Sequence, residues 1–493
     1  MSIAGLVLGL VAFVAVLRIL NAQQIAAEVL GTSQHAVGVL TNPDLSDDEK
    51  EASVRRAALR LFGNFLRIAA IGLAAIAASA LLVWAGAAAG LYALDAAIDL
   101  AMGWPFILVS SAAIVVIWVA LEKRRKPAET TGAEARKEMP YGPLDKALHN
   151  MAFASPVRQR KLADLETSLY GRRIAPDNSA ARPVFVTSLP RAGTTMMLEA
   201  LAKHPDFASA TYRHMPFPLA PLLWGRFSGV FRKSGGKAER AHGDGIEVGL
   251  DSPEAFEEIA WMAFWPDHYR PNRIEAWGAD DRDREFEAFF RTHIAKIVAT
   301  KPGAARYLSK NNANIARLPL LETLHPDASI VIPVREPDAQ VHSLMRQHRY
   351  FSDLHGREPF ARQYMESIGH FEFGAALRPI DFGNDIRDPA EADSPEFWLR
   401  YWISAFEGIR SSAGKRVIFV DYHALCMSPE RHLAGLGEAI GLKDTSALAS
   451  QAAMFRPPQP ASPLADVPDG LARRARNLYS DLCRRAINHE TCR

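Results

Sequence analysis

Phe185-Val-Thr-Ser-Leu-Pro-Arg-Ala-Gly-Thr-Thr195 is the stretch that decides how this chain is read. The β-type run Arg182–Thr187 feeds directly into a tight turn, and Gly193 opens a segment with helical apolar spacing at Met196–Leu201. Backbone N–H groups at such a helix start, with the Thr194 and Thr195 hydroxyls beside them, form a cradle for an anion. A nucleotide triphosphatase loop would read Gly-x4-Gly-Lys-Ser/Thr. Here Ser188 takes the first Gly position, Thr194 stands where the Lys belongs, and the cation precedes the glycine at Arg191. The strand candidate Ile330–Val334 ends in Arg335 and not in a magnesium-binding Asp. A cation ahead of the glycine, without a metal ligand, suits a nucleotide whose 5′ end is diphosphate-like and is handled without magnesium.

Two further strand candidates, Ala328–Val334 and Arg416–Asp421, are each followed by helix-like sequence. From about Tyr141 onward this alternation predicts an α/β domain with a P-loop-like parallel sheet flanked by crossover helices. In Val334-Arg-Glu-Pro-Asp-Ala-Gln-Val-His-Ser343, Arg335 leaves the end of a strand and Ser343 lies eight residues on, in a helix. A guanidinium fork and a hydroxyl at that spacing can grip a phosphate monoester.

With both elements in place, the chain resembles the sulfotransferases that use 3′-phosphoadenylyl sulfate (PAPS), and within them the broad prokaryotic branch carrying Pro-Arg-Ser-Gly-Thr-Thr. Pro190-Arg191-Ala192-Gly193-Thr194-Thr195 matches the family's 5′-phosphosulfate loop, and Arg335, Glu336, Pro337 and Ser343 match its 3′-phosphate motif. Val417–Leu425 through Pro429 to Gly441-Leu442 is similar to its closing strand–helix unit, so the resemblance spans about Pro183–Leu442. Two positions depart from the pattern. Ser188 replaces a usual Gly, tolerable if its φ stays negative, and Ala192 replaces a usual Ser, leaving only its backbone amide for phosphate.

The resemblance implies the sulfotransferase fold, PAPS as co-substrate and no metal. Arg191 would bridge the 5′-phosphate and the sulfuryl group. Ala192, Gly193, Thr194 and Thr195 would hold the 5′-phosphate, and Arg335 and Ser343 the 3′-phosphate. Lys310, in Leu308-Ser-Lys-Asn-Asn312, lies where some members carry a second cation. An alcohol acceptor also needs a general base. The family's Glu after the loop helix has no counterpart in His204–His214, which leaves His214, the nearest competent residue, and His242, in a Gly-flanked loop. Glu254, Glu257 and Glu258 follow, in a Ser-Pro-Glu context that also reads as an ordinary helix start. The aromatic stretches Trp261–Tyr269 and Pro216–Trp224 read as core first and as acceptor-pocket lining second.

The first quarter has a different character. Three apolar stretches, at about 2–20, 68–94 and 100–121, read as transmembrane helices, the second being charge-free over more than the ~20 residues needed to span hydrocarbon. Arg55, Arg56, Arg60 and Arg67 precede the second stretch, and Lys123, Arg124, Arg125 and Lys126 follow the third. The connection between them carries only Asp95 and Asp99. The positive-inside rule then puts that turn outside and the remainder of the chain in the cytoplasm. Asn42–Glu51 reads as a polar loop, and residues 122–140 read as a linker to a catalytic domain at 141–493. Small residues from Ser79 to Gly90 allow close helix packing or a homodimer.

Composition narrows the alternatives. Of 493 residues, 57 are Lys or Arg and 55 Asp or Glu, giving a net charge of +2, which lends no support to nucleic-acid binding. Three cysteines, Cys426, Cys483 and Cys492, make neither a disulfide scaffold nor a zinc site. The basic run of the C-terminal segment, Arg473 to Arg485, reads as a surface helix. The expectation is a multi-pass inner-membrane protein whose cytoplasmic domain moves a sulfuryl group from PAPS to a small-molecule, lipid or glycan hydroxyl. A P-loop nucleotide kinase and a degenerate membrane-tethered scaffold are the alternatives.

Overall fold

The computed structural model describes residues 2–21, 25, 28, 47–103, 110, 143–171, 174, 182–231, 238–239, 247–383, 388–458 and 460–488. The chain divides into two compact units, Met1–Arg136 and Lys137–Arg493.

In the first unit, α1 (Ser2–Ile19) packs on α2 (Asp47–Ala88), which is followed by α3 (Leu94–Met102). Glycines allow the close approach: a β-carbon at Gly5 or Gly86 would overlap the Tyr92 hydroxyl, which donates to the Val83 carbonyl at 2.8 Å. Among the described residues one helical segment, Arg60–Ala88, is long and apolar enough to cross a membrane, with a mean hydropathy of 2.3; Gly5–Ile19 is a shorter apolar helix. Phe62, Phe65, Leu73, Ile76, Leu81 and Trp84 of α2 are exposed.

Three expectations change here. The helix begins at Asp47, inside the stretch expected to be a polar loop, because Ala, Glu, Lys and Arg without Gly or Pro favour helix from there to Gly63. It ends at Ala88, where Gly90 adopts φ +74°, and not at residue 94. Asp95 and Asp99 sit within α3 and not in a turn; the turn is residues 89–93. Of the expected third span, only 100–103 and 110 fall among the described residues, and the expected linker at 122–140 lies outside them.

The second unit is built on a five-stranded, all-parallel sheet. Its strands are β1 (Val184–Val186), β2 (Phe207–Ala208), β3 (Arg306–Lys310), β4 (Ser329–Val334) and β5 (Val417–Asp421), in the order β2-β3-β1-β4-β5. Alternation along the strands feeds two cores. Phe185, Ile330, Ile332 and Val334 face one core with Trp402 and Leu478, while Val184, Val186, Leu308 and Val331 face the other with Met197 and Leu436. The crossover and flanking helices include α4 (Thr194–Ala202), α5 (Arg284–Thr300), α6 (Pro337–Arg357), α7 (Pro395–Ser412), α8 (Tyr422–Met427) and α9 (Asp469–Arg484).

The C-terminal helix α9 buries Ala475, Leu478, Leu482 and Cys483, while Arg474 pairs with Glu407 and Arg476 with Asp338, as a surface helix should. The charged run Asp280–Glu285 is mostly the turn before α5. Asp283 caps that helix by accepting from the Phe286 N–H at 2.9 Å.

β1 lies at the centre, with later strands added first on one side and then on the other. The loops after β1 and β4 therefore meet at the carboxyl edge, where open parallel sheets bind ligands.

Candidate functional site

The loop after β1 is held from three sides. The Thr187 N–H donates to the Val331 carbonyl at 3.0 Å, and the Ser188 hydroxyl donates to the Pro333 carbonyl at 2.8 Å. From α6, the Gln340 side-chain amide donates to the Pro190 carbonyl at 2.8 Å, and the Trp402 indole fixes Gln340 in turn at 2.9 Å. Ser188 is fully buried and keeps a negative φ, so the position where a Gly was expected needs no glycine. The left-handed positions are Arg191, at φ +67°, and Gly193, at φ +95°. At Gly193 a β-carbon would overlap the Tyr422 ring, so this turn demands glycine on two counts. The α4 helix starts immediately afterward, at Thr194.

The two segments singled out in the sequence meet. Arg191 Nε donates to the Ser343 hydroxyl at 3.0 Å, and an Arg335 guanidinium N–H donates to the Arg191 carbonyl at 2.9 Å. Arg335 lies over the Tyr422 ring, 5.9 Å from its centroid, and makes no ion pair among the described residues. Burial lowers the pKa of Arg335, chiefly opposed by Tyr422 and Cys426, and a guanidinium so placed keeps its charge at neutral pH. Two cations and a hydroxyl thus converge on the start of α4, an arrangement that fits a polyanion.

Lys310, buried, ends β3 opposite Val186. The next residues organise the floor. Asn312 Oδ1 accepts from the Thr194 hydroxyl at 3.2 Å, and its Nδ2 donates to Glu372 at 2.9 Å. Asn311 and Asn314 donate to Glu258 and Glu257 at 2.7 and 2.8 Å, Glu257 also accepts from Tyr307 at 3.1 Å, and Glu258 pairs with Arg317. Arg317 is fully buried between Trp261 and Trp277, 4.2 and 4.4 Å from the ring centroids. Glu257 and Glu258 are therefore consumed by a buried network, and Trp261 is core. The short helix Glu258–Phe264 starts well after the Ser-Pro-Glu that resembled a helix start.

His214 is not brought to this loop. Its Nδ1 accepts from the Thr211 N–H at 3.1 Å, closing its own turn. Burial, helped by Arg213, pushes the imidazole down to about 4. It lines a separate cleft beside the β2 edge with Thr211, Arg213, Asp251 and Lys301. His242 lies outside the described residues. Glu372, which no motif marks in the sequence, sits in the loop before the short Ile380–Asp381 strand and meets the site through Asn312.

A family model described as "Sulfotransferase family" matches residues 183–446. None of the curated proteins matches the chain. Among solved structures the chain is similar to sulfotransferase STF1 from Mycobacterium tuberculosis, at 16% identity and a TM-score of 0.39, over 75% of this chain and 91% of that one. It is also similar to sulfotransferase STF9 from Mycobacterium avium, at 16% identity and a TM-score of 0.37, over 69% and 86%.

Proposed function

Because this chain belongs to the sulfotransferase family, we propose that it moves a sulfuryl group from PAPS to a hydroxyl on a lipid or glycan acceptor. The observation that carries the reading is the hydrogen-bonded junction of the two loops, Arg191 to Ser343 and Arg335 to the Arg191 carbonyl. A nucleotide bearing phosphate at both its 5′ and 3′ positions needs two neighbouring anion sites, a need this junction of cations and hydroxyl fits.

The amides of Ala192 and Gly193 and the hydroxyls of Thr194 and Thr195 hold the 5′-phosphate at the start of α4. Arg335 and Ser343 hold the 3′-phosphate. Arg191 stabilises negative charge gathering on the departing 5′-phosphate, and Lys310 is the second cation on the sulfuryl oxygens. Such charge stabilisation inside a buried site is worth more than in water, because the donors are already oriented. In this reading no step calls for a metal.

The first unit tethers the domain to a membrane in this reading. The exposed apolar residues of Arg60–Ala88 support it, and the basic flanks at Arg55–Arg67 and Lys123–Lys126 favour a catalytic domain on the cytoplasmic side. Membrane access is what makes a lipid or lipid-linked glycan the favoured acceptor.

The test is calorimetry of PAP, the desulfonated nucleotide, with the full chain in detergent and without magnesium. PAP should bind and Arg335→Ala should abolish it. Preference for magnesium-ATP would move the assignment to a P-loop kinase. A folded protein that ignores both nucleotides would leave a scaffold.

A further inference from the structure

A narrow, half-open cleft of about 30 Å³ lies at the carboxyl edge of the sheet, directly beside the phosphate loop. Leu189 and Pro190 of that loop form one wall, and Ala313, Phe371, Leu377 and Trp398 form much of the rest. Into this mostly apolar space comes one half-buried carboxylate, Glu372. Asn312 holds its Oε1 at 2.9 Å and, through its other amide atom, holds the hydroxyl of Thr194 at 3.2 Å. The carboxylate is thus two hydrogen bonds from the first residue of α4. Among the described residues Glu372 makes no ion pair, and Asn312 is its one side-chain partner.

The two acids nearest Asn312 in the buried network are spent. Glu257 is bonded to Tyr307 and Asn314, and Glu258 to Asn311, Tyr269 and Arg317. A carboxylate positioned by one amide, with an oxygen left over and an apolar cleft in front of it, is what a general base for an alcohol requires: correct placement and a vacant lone pair.

We propose that Glu372 is the general base of the transfer, and that the cleft receives the hydroxyl-bearing end of an acceptor whose body is apolar. The inference rests on the donor assignment made above. In the step, the acceptor oxygen forms its bond to sulfur as the bond from sulfur to the nucleotide's 5′-phosphate oxygen breaks. The bonding pair leaves with the phosphate, giving PAP, and the hydroxyl proton passes to the free oxygen of Glu372. The mostly apolar walls, on which Arg378, Asn312 and Tyr401 are the other polar side chains, favour an apolar body over water or a sugar, whose many hydroxyls would find few partners there.

The experiment uses the full chain in lauryldimethylamine oxide, a detergent with no hydroxyl, with PAPS carrying radiolabelled sulfate. The acceptor probes are 1-decanol, 2-naphthol and glucose. Transfer to 1-decanol or 2-naphthol should exceed transfer to glucose. Glu372→Gln keeps an oxygen for Asn312, so PAP should bind it within about twofold of wild type, while kcat/KM should fall by about 10²–10⁴-fold. Glu372→Asp should recover part of that loss, and Ala313→Leu, which narrows the cleft, should raise the KM for 1-decanol without changing PAP binding. A Glu372→Gln enzyme that turns over like wild type would overturn the base. Glucose as the best acceptor, or no transfer to any probe by a PAP-binding wild type, would overturn the apolar acceptor. If wild type fails to bind PAP, the donor assignment itself has failed, and this inference falls with it.

Discussion

Replacing Gly193 by Ala probes the phosphate loop where it is tightest. Gly193 holds φ +95°, and an added β-carbon would lie 2.5 Å from Cδ2 and 2.9 Å from Cζ of Tyr422. A residue with a β-carbon pays about 1–2 kcal/mol for a left-handed backbone. The Tyr422 ring has little freedom to retreat, because Tyr422 opens α8 directly after Asp421, whose carboxylate caps that helix by accepting from the His423 and Ala424 amides at 2.9 and 3.2 Å. In the free protein the loop will relax out of the cradle, and binding must restore it. PAP affinity should therefore fall by about 5- to 30-fold, the equivalent of about 1–2 kcal/mol. It should fall further if Arg335, which lies over the same ring, is displaced with it. Calorimetry with the full chain gives the loss, and Gly193→Ala combined with Tyr422→Ala separates its causes. The double variant should recover the part due to the ring and keep the part due to φ. A Gly193→Ala protein that binds PAP within about twofold of wild type would refute the cradle.

Other expectations concern the site and the core behind it. Arg335→Ala should remove PAP binding while leaving the thermal unfolding midpoint close to wild type, because Arg335 is partly exposed and, among the described residues, donates to a loop carbonyl. Glu372→Gln should separate turnover from nucleotide binding, as measured by sulfate transfer beside calorimetry. Lys296→Met should destabilise the fold by about 3–5 kcal/mol in denaturant unfolding, because it strands the fully buried Glu166, its partner at 3.5 Å. His325 is packed between Phe185 and Phe290, and burial holds its pKa at about 4, against 6.5 for the free side chain. Only the unfolded chain takes up this proton between those values, so the stability His325 contributes is full above pH 6.5 and lost as pH falls toward 4. At pH 5 the loss reaches about 2 kcal/mol, and thermal unfolding of His325→Leu should be less acid-sensitive than wild type between pH 7 and 5.

What could be read from the sequence was what is encoded locally. Three strands with apolar runs, β1, β4 and β5, were legible within two residues at each end, and so was the turn into α4, because apolar runs broken by Pro and Gly leave a clear mark. Strand β3 was missed. Its sequence, Arg-Tyr-Leu-Ser-Lys, carries polar groups at three of five buried positions, and their partners are remote. Arg306 donates to the carbonyls of Arg182 at 2.8 Å and Ile440 at 3.0 Å, and Ser309 donates to Glu257. No periodicity signals a buried strand whose polar side chains are satisfied from 52 to 134 residues away. The end of α2 was misplaced for a related reason: absence of charge marks the apolar stretch, but the break is made by the backbone of Gly90.

The same division runs through the site. Arg191, Gly193, Arg335 and Ser343 sit in motifs whose spacing has a local meaning, and the fold needs only to bring two loops to one sheet edge for them to touch. A base has no such signature. His214 was nominated because it is close to the loop in sequence, yet the chain runs from α4 through β2 to the far edge of the sheet and takes His214 with it. Glu372 is 60 residues from Asn312 and lies in a loop flanked by two phenylalanines, with nothing in its neighbours to mark it. Ser188 carries the opposite lesson. It departs from the family's loop pattern, but its hydroxyl ties that loop to β4 through Pro333, the strand that delivers Arg335. The side chain that departs from the pattern thus couples the two anion sites more tightly than a glycine could, since a glycine would leave the Pro333 carbonyl without that donor.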